Sequence, residues 1–349
     1  MDLATESSPT LKPAGAGDAK QRLPLTLFGM PLGMAGLGGA WSAAATAVHA
    51  PTWPAEIFYG ASDALWLAFV IGYLRGGVRT RGAFGDDLRH PFSGPFASVI
   101  PLVAVLLSAH YTAYSFTIFA WICGAAIVAL AVVVAQLIAH WLSGAVDLHA
   151  IHPGYYIPAV AGPFIASIGL SALGQPSLAI AAIGAGLFFW VAMTAIVTVR
   201  MLIGERLPDA VRPAMTAFVA GTSTANLAWI VAHPGRVDQA QELMTGVLVL
   251  MLLVQGALIG EYRTLTFTGG WWIFTFPLAS TTNYAVRWFS AVRPPGWETY
   301  AWVALGCTTL FILFVAVRTI ETTARARVAR QRHRLPPAAP RNEFHPRAK

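Results

Sequence analysis

The chain is predicted to be an all-α polytopic membrane protein, and three observations carry that expectation. First, 56% of its 349 residues are hydrophobic and only 11% are charged, with a mean hydropathy of +0.59. A soluble domain carries about 25% charged residues, so this composition excludes disorder, coiled coils and ordinary soluble folds. Second, the apolar residues fall in ten long runs, and about 20 such residues cross the hydrocarbon of a bilayer. Third, the connections between the runs are short, so no soluble domain is inserted. The runs are 25–48, 57–74, 92–109, 116–138, 155–173, 178–199, 214–231, 244–260, 269–286 and 300–317.

Three parts follow. Residues 1–22, rich in Ala, Ser, Gly and Pro, are expected to be a disordered tail. Residues 23–320 form the ten-helix membrane domain. Residues 321–349 form a basic, then Pro-rich tail whose arginines (Arg325, Arg327, Arg330, Arg332, Arg334) would be attracted to anionic lipid. The first run is too long for a signal-peptide core, and Pro51 follows the cleavage-like Val48-His49-Ala50, so cleavage is not expected. With both termini inside, 20 of the 23 Lys and Arg residues lie in cytoplasmic segments; only Arg236, Arg287 and Arg293 fall in outside loops. A plasma (inner) membrane location with both termini cytoplasmic is therefore expected. Trp53, Trp121, Trp141, Trp297 and Trp302 sit near the predicted interfaces, as an aromatic belt requires.

The spans fall into two kinds. Pro31, Pro95, Pro101, Pro158, Pro163 and Pro277 all lie in odd-numbered spans, and Pro213 lies at the start of the seventh. Proline removes a backbone hydrogen bond and bends a helix, which a membrane protein tolerates where neighbouring helices or water satisfy the freed groups. Five hairpins, each with a bent inner helix and a straighter outer one, would give this alternation. Within the ten runs Asp63, in the second, is the only Asp, Glu, Lys or Arg, so the odd helices would enclose a neutral conduit. Asp63 is read as an interhelical or inter-subunit hydrogen bond more readily than as a proton relay, which normally needs more mid-membrane ionisable groups.

Three segments then carry a family resemblance: Phe28-Gly29-Met30-Pro31-Leu32-Gly33-Met34-Ala35-Gly36-Leu37 with Trp41, His152-Pro153-Gly154-Tyr155-Tyr156-Ile157-Pro158-Ala159-Val160-Ala161, and Trp271-Trp272-Ile273-Phe274-Thr275-Phe276-Pro277-Leu278-Ala279-Ser280. In these, and in its ten spans, the chain resembles the tellurite-resistance/C4-dicarboxylate transporter family, which includes plant guard-cell slow anion channels and fungal malate and sulfite exporters. The resemblance implies five hairpins in quasi-fivefold arrangement around a central pore, and homotrimers with one pore per subunit. It also implies that Phe276, in the ninth span, plugs the pore, and that Gly29 stands where a larger side chain would intrude. The residues add that Phe276 precedes Pro277, where a helix bends, and that a rotatable ring at a hydrophobic constriction can gate a pore by dewetting. Gly33 and Gly36 recur at the spacing of close helix packing. Pro31, Pro101, Pro158 and Pro163 complete the set of pore-lining or helix-bend candidates.

The remaining polar groups admit plainer readings. Cys123 and Cys307, both in apolar runs, cannot build a disulfide framework. Asp147, His149 and His152 have a metal-like spacing, but they lie in a loop without further convergent ligands, and His152-Pro153 belongs to the resembling segment. His110, His140 and His233 lie at span ends and read as interfacial. Ser167, Ser171, Thr222, Ser223, Thr224, Ser280, Asn226 and Asn283 would serve as interhelical hydrogen bonds or as donors to a passing anion. There is no Walker phosphate loop. No cofactor, no metal, no nucleic-acid partner and no enzymatic activity are expected. The expected function is a gated anion channel or channel-like exporter for chloride, nitrate or a small organic or sulfur-containing anion. The alternative is a proton-coupled C4-dicarboxylate carrier, which would need Asp63 or a histidine. A membrane enzyme using Asp147, His149 and His152 ranks third.

Overall fold

In the computed structural model, which describes residues 23–77, 83–209, 211–235 and 237–334, the described residues form helices and connecting turns with no strand. The twelve α-helices are α1 (Gly29–Ala47), α2 (Trp53–Gly77), α3 (Ala83–Arg89), α4 (Val99–Tyr111), α5 (Phe116–Leu142), α6 (Gly162–Ala172), α7 (Pro176–Ile203), α8 (Ala217–Ala232), α9 (Gln239–Ala257), α10 (Ile259–Arg263), α11 (Thr275–Val292) and α12 (Trp297–Arg334). Helix is found at every one of the ten apolar runs. Eight of these helical segments are long and apolar enough to cross a membrane; the first and ninth, α1 and α11, are not apolar enough to join them. The expected tail at 1–22 and the Pro-rich end beyond 334 lie outside the described residues, while the basic stretch from Arg325 to Arg334 continues α12 as helix.

Burial separates the helices as the prolines do. In the apolar windows of the third, fifth and seventh spans 67–78% of residues are buried, against 17–28% in the even-numbered spans. The even helices carry large exposed apolar side chains such as Trp121, Phe188, Leu253 and Leu310, which is the surface a lipid-facing helix needs. Each inner helix pairs with the outer helix that follows it: α1 with α2, α4 with α5, α6 with α7, α8 with α9 and α11 with α12. Among themselves the inner helices close a ring, α1 on α4, α4 on α6, α6 on α8, α8 on α11, and α11 back on α1.

The prolines turn out to start the inner helices rather than kink their middles. Each inner helix is preceded by a 3-10 turn: Leu25–Phe28, Gly94–Ser98, Pro153–Tyr155, Arg212–Thr216 and Gly269–Phe274. Pro24, Pro95, Pro153 and Pro213 flank or begin four of them, and Pro31, Pro101, Pro163 and Pro277 fall within the first three residues of α1, α4, α6 and α11. There the missing N–H has no intrahelical partner to lose, or only a turn to disturb. Three turns share a closing bond from a hydroxyl to the carbonyl three residues back: Ser98 to Pro95 and Thr216 to Pro213, both at 2.8 Å, and Thr275 to Trp272 at 2.7 Å. The third inner helix departs from the pattern. Pro158 lies within, and Pro163 just after, a wider π-type segment, Ile157–Ala161, a geometry that accommodates the carbonyl against which a second proline ring would otherwise clash. The five turns touch one another in the same cyclic order as the helices, so all inner helices begin at one end, called the lower end below.

Candidate functional site

Among the cavities inside the ring, two meet at one side chain, and a third, of about 20 Å³, touches the same residue. The upper chamber is a cavity of about 320 Å³ and the lower one about 40 Å³; Phe276 is the single residue that lines both. Its ring is only 7% exposed and belongs to one apolar cluster with Leu32 and Ala35 of α1, Leu102 of α4, Ile165 of α6 and Ala220 of α8, so every other inner helix contributes to the cluster around it. A Cβ at Gly36 would stand 3.1 Å from the Phe276 ring and 3.0 Å from the Ala279 Cβ. The absence of a side chain at Gly36 therefore gives the ring its seat on α1.

The sequence-derived candidates divide by position. Gly29 and Pro277 line the lower chamber, and the nearest atom to a Cβ at Gly29 would be Trp272 Cβ at 3.8 Å. Gly33 is a packing glycine, since its Cβ would lie 2.0 Å from Thr275 Oγ1 on α11. Pro31, Pro101, Pro158 and Pro163 line neither chamber; Pro31 instead accepts a 2.7 Å hydrogen bond on its carbonyl from Ser62 of α2.

The upper chamber is the polar one, and its polar stripe was missed at the sequence level. Phe276, Ser280, Asn283 and Arg287 follow one another at intervals of four, three and four residues, which keeps them on one face of α11. Arg287 is therefore not in an outside loop: α11 continues to Val292, and its guanidinium lines the chamber about 16 Å along the helix from Phe276 at 1.5 Å per residue. Its Nε donates to Asn283 Oδ1 at 3.0 Å. The expectation that no odd helix carries a fixed charge is corrected here; the hydropathy run ends at Val286 because of Arg287, while the helix does not. The i, i+4, i+7, i+11 stripe was the signal in the sequence.

His110 likewise belongs to the chamber. It hydrogen-bonds Glu56 of α2 at 3.2 Å and stacks on Tyr59 with ring centroids 3.7 Å apart. Tyr59 comes from the outer helix α2 and reaches the chamber past α1, where Cβ atoms at Gly38 and Gly39 would meet its ring at 2.8 Å and its hydroxyl at 3.4 Å. Asp63, by contrast, lines neither chamber and accepts a 2.5 Å bond from Tyr111 between α2 and α4.

Most other polar candidates hold helices together. Asn226 bonds Met244 O, Gln241 donates to Asn226 and to Tyr284, and Thr245 meets the Tyr284 hydroxyl, joining α8, α9 and α11. Ser223 and Ser280 share a 2.6 Å bond between α8 and α11. Thr222 and Thr224 bond carbonyls of their own helix. The Ser171 hydroxyl is different: it is buried, lines the upper chamber and has no partner.

Near the lower end, Asp147 accepts from the His149 backbone at 2.8 Å and lies 2.9 Å from its ring, which holds the Asp147 carboxyl below its usual range. His152 points elsewhere, with its two ring nitrogens on Phe92 O and Gly154 N, and burial pushes it down to about 4. Among the described residues no group of three or more His, Cys, Asp or Glu side chains is placed to hold a metal.

A ring of five inner helices shielded by outer helices, with internal chambers on either side of one aromatic side chain, defines an all-α polytopic membrane protein with cavities along its axis. Residues 22–320 match the family model described as voltage-dependent anion channel (SLAC1), and the chain belongs to that family. It is 25% identical over 288 residues to the tellurite resistance protein TehA homolog of Haemophilus influenzae, covering 80% of this chain and 86% of that protein. It is 22% identical to the S-type anion channel SLAH3 of Arabidopsis thaliana over 86% of this chain and 48% of that one. With the guard cell S-type anion channel SLAC1 of the same plant it shares 24% identity over 55% of this chain and 34% of that protein. The chain thus spans about half the length of SLAH3, or less of SLAC1, and most of the bacterial relative.

Proposed function

We propose that the protein is a gated anion channel of the plasma (inner) membrane whose pore runs through the five-helix ring and is closed by Phe276. The observation that carries the reading is that Phe276 alone lines both chambers. The anionic preference is supported by Arg287 as the fixed charge in the upper chamber and by the naming of the relatives as anion channels. Gly29 and Pro277 form part of the lower passage, while Pro31, Gly33, Pro101, Pro158 and Pro163 shape the starts and packing of the inner helices. The excess of arginine around the lower end supports a cytoplasmic location for that end and both termini. Three copies assemble with one pore each. The tellurite resistance named for the bacterial relative is accounted for here as oxyanion permeability, without tellurium chemistry by the protein.

The test is voltage-clamp recording of wild type and Phe276→Ala in chloride, nitrate and malate at two pH values. A nearly silent wild type and a current raised at least about tenfold in the variant, equivalent to lowering a barrier by about 1.4 kcal/mol, support the reading. His110 in the upper chamber, with Glu56 bonded to it, gives a proton-coupled dicarboxylate carrier its one foothold. That second reading requires silence in both proteins together with saturable, pH-dependent malate uptake by wild type.

A further inference from the structure

We infer that the upper chamber contains a binding site for one small monovalent anion, centred on the Arg287 guanidinium, whose affinity is raised when His110 takes up a proton. The inference rests on reading the chamber as part of an anion pathway and adds to it a resident ion.

Three observations meet there. Arg287 is half-buried, lines the chamber, and has no carboxylate within ion-pair distance among the described residues. Its one hydrogen bond, from Nε to Asn283, leaves both terminal nitrogens free to donate, and a cation in a low-dielectric site needs a counter-charge. The Ser171 hydroxyl, buried and unpartnered on the facing helix α6, is a second donor without an acceptor. Ser280, on the same face of α11, lies between these groups and Phe276. One fixed positive charge with neutral donors around it matches a single negative charge. A dianion would leave an uncompensated charge in a partly dehydrated cavity.

The proton term follows from Glu56. It lies at the rim, with its side chain 39% exposed against 11% for His110, and the two are 3.2 Å apart. With His110 neutral, an ionised Glu56 offsets the field of Arg287; with His110 protonated, the histidine neutralises Glu56 and Arg287 acts alone on the anion. The other groups facing His110 are Tyr59 and Asp63 of α2, Tyr111 on its own helix, Tyr114 in the turn that follows, and Arg287 across the chamber. Asp63 also interacts electrostatically with His110, but its carboxyl is engaged by Tyr111, and Glu56 is the carboxylate in direct hydrogen-bond contact with the histidine. By linkage, an anion in the site favours the protonated histidine to the same degree.

The test uses the purified full-length protein, with its gate intact, and nitrate as the probe in titration calorimetry at about pH 5.5 and about pH 8.5, which bracket histidine protonation. The expected result is one nitrate per chain, bound about tenfold tighter at the acidic pH, a coupling of ordinary size. His110→Gln should bind as wild type does at the alkaline pH, with no response to pH. Arg287→Gln should lose at least about tenfold in affinity, and Arg287→Lys should retain binding. Where Arg287→Gln does not fold, Asn283→Asp decides, because a carboxylate beside the guanidinium supplies its counter-charge and should abolish nitrate binding. Unchanged binding in Arg287→Gln or Asn283→Asp overturns the site; a surviving pH response in His110→Gln overturns the proton term. Nitrate binding together with a silent Phe276→Ala would sink the gate and leave the site standing. Large currents in Phe276→Ala without Arg287-dependent binding would sink the site alone.

Discussion

The two chambers on either side of Phe276 differ in almost every respect although the same five units, each an inner helix and the turn before it, build both. Above Phe276 the cavity is about 320 Å³ and carries an arginine, a histidine and one free hydroxyl; below it the space is about 40 Å³ and is walled by Gly29, Ala214, Ala217, Ala220 and aromatic rings. Each half has a histidine nearby, but they are not equivalent. His110 faces the upper chamber with a carboxylate partner, whereas His152 is sealed between Phe92 and Gly154 and held neutral by burial. The difference teaches where each task would fall under the proposed function: anions would gather above the ring of Phe276, and the barrier would lie at its apolar seat and the tight neck beneath it, where water is poorly held.

The largest break in that asymmetry is Phe276→Ala, which merges the two chambers and should raise anion current at least about tenfold, as measured by the recordings proposed above. Next comes acid. His152 is neutral in the native protein down to about pH 4, whereas an unfolded histidine binds a proton below about pH 6.5. Its contribution to stability is therefore complete above about pH 6.5 and falls by up to about 3 kcal/mol as pH drops through about 4. Thermal unfolding in detergent followed from neutral to acidic pH should show this loss, and His152→Gln should remove its share of the slope. Gly33→Ala is expected to cost about 2 kcal/mol by forcing α1 away from Thr275; a Tm equal to wild type would mean that this contact is not tight. Gly36→Ala crowds the Phe276 ring at 3.1 Å and should shift it enough to raise basal current a fewfold, well short of Phe276→Ala. Asp63→Asn is the smallest: it weakens the Tyr111 bond by about 1 kcal/mol and should leave the pH response of the current unchanged. A pH response abolished by Asp63→Asn would move the proton-sensitive group off His110.

Much of this fold was legible because lipid-facing helices must be long and apolar, and all ten runs contain helix. The division into inner and outer helices was legible from proline, although for a different local reason: Pro31, Pro101, Pro163 and Pro277 mark helix starts, not central bends. The weak spans were those that matter most. α1 is built from glycine and alanine and α11 carries Thr, Asn and Arg, and both fall below the hydropathy of a spanning helix because the other helices shield them from lipid. The same shielding hid Arg287, since a hydropathy boundary drawn at Val286 assigns the next residue to a loop. His110 was read as interfacial because only the closure of α1 on α4 and of α11 on α1 turns a span end into a chamber wall. Phe276 was singled out through a resembling segment and its place before Pro277, since a phenylalanine alone, one of 19 in the chain, carries no such signal.

Tyr59 is the one side chain lining the upper chamber that comes from an outer helix. The opposite surface of α2 exposes Ile57, Leu67, Ile71 and Leu74 to whatever surrounds the protein. Because Gly38 and Gly39 leave the tyrosine a slot through the inner wall, a tilt or rotation of α2 is delivered directly to the ring against which His110 is stacked. The upper chamber therefore shares a wall with a lipid-facing helix, and a displacement of α2 would reach the Tyr59 ring and, through the stack, His110.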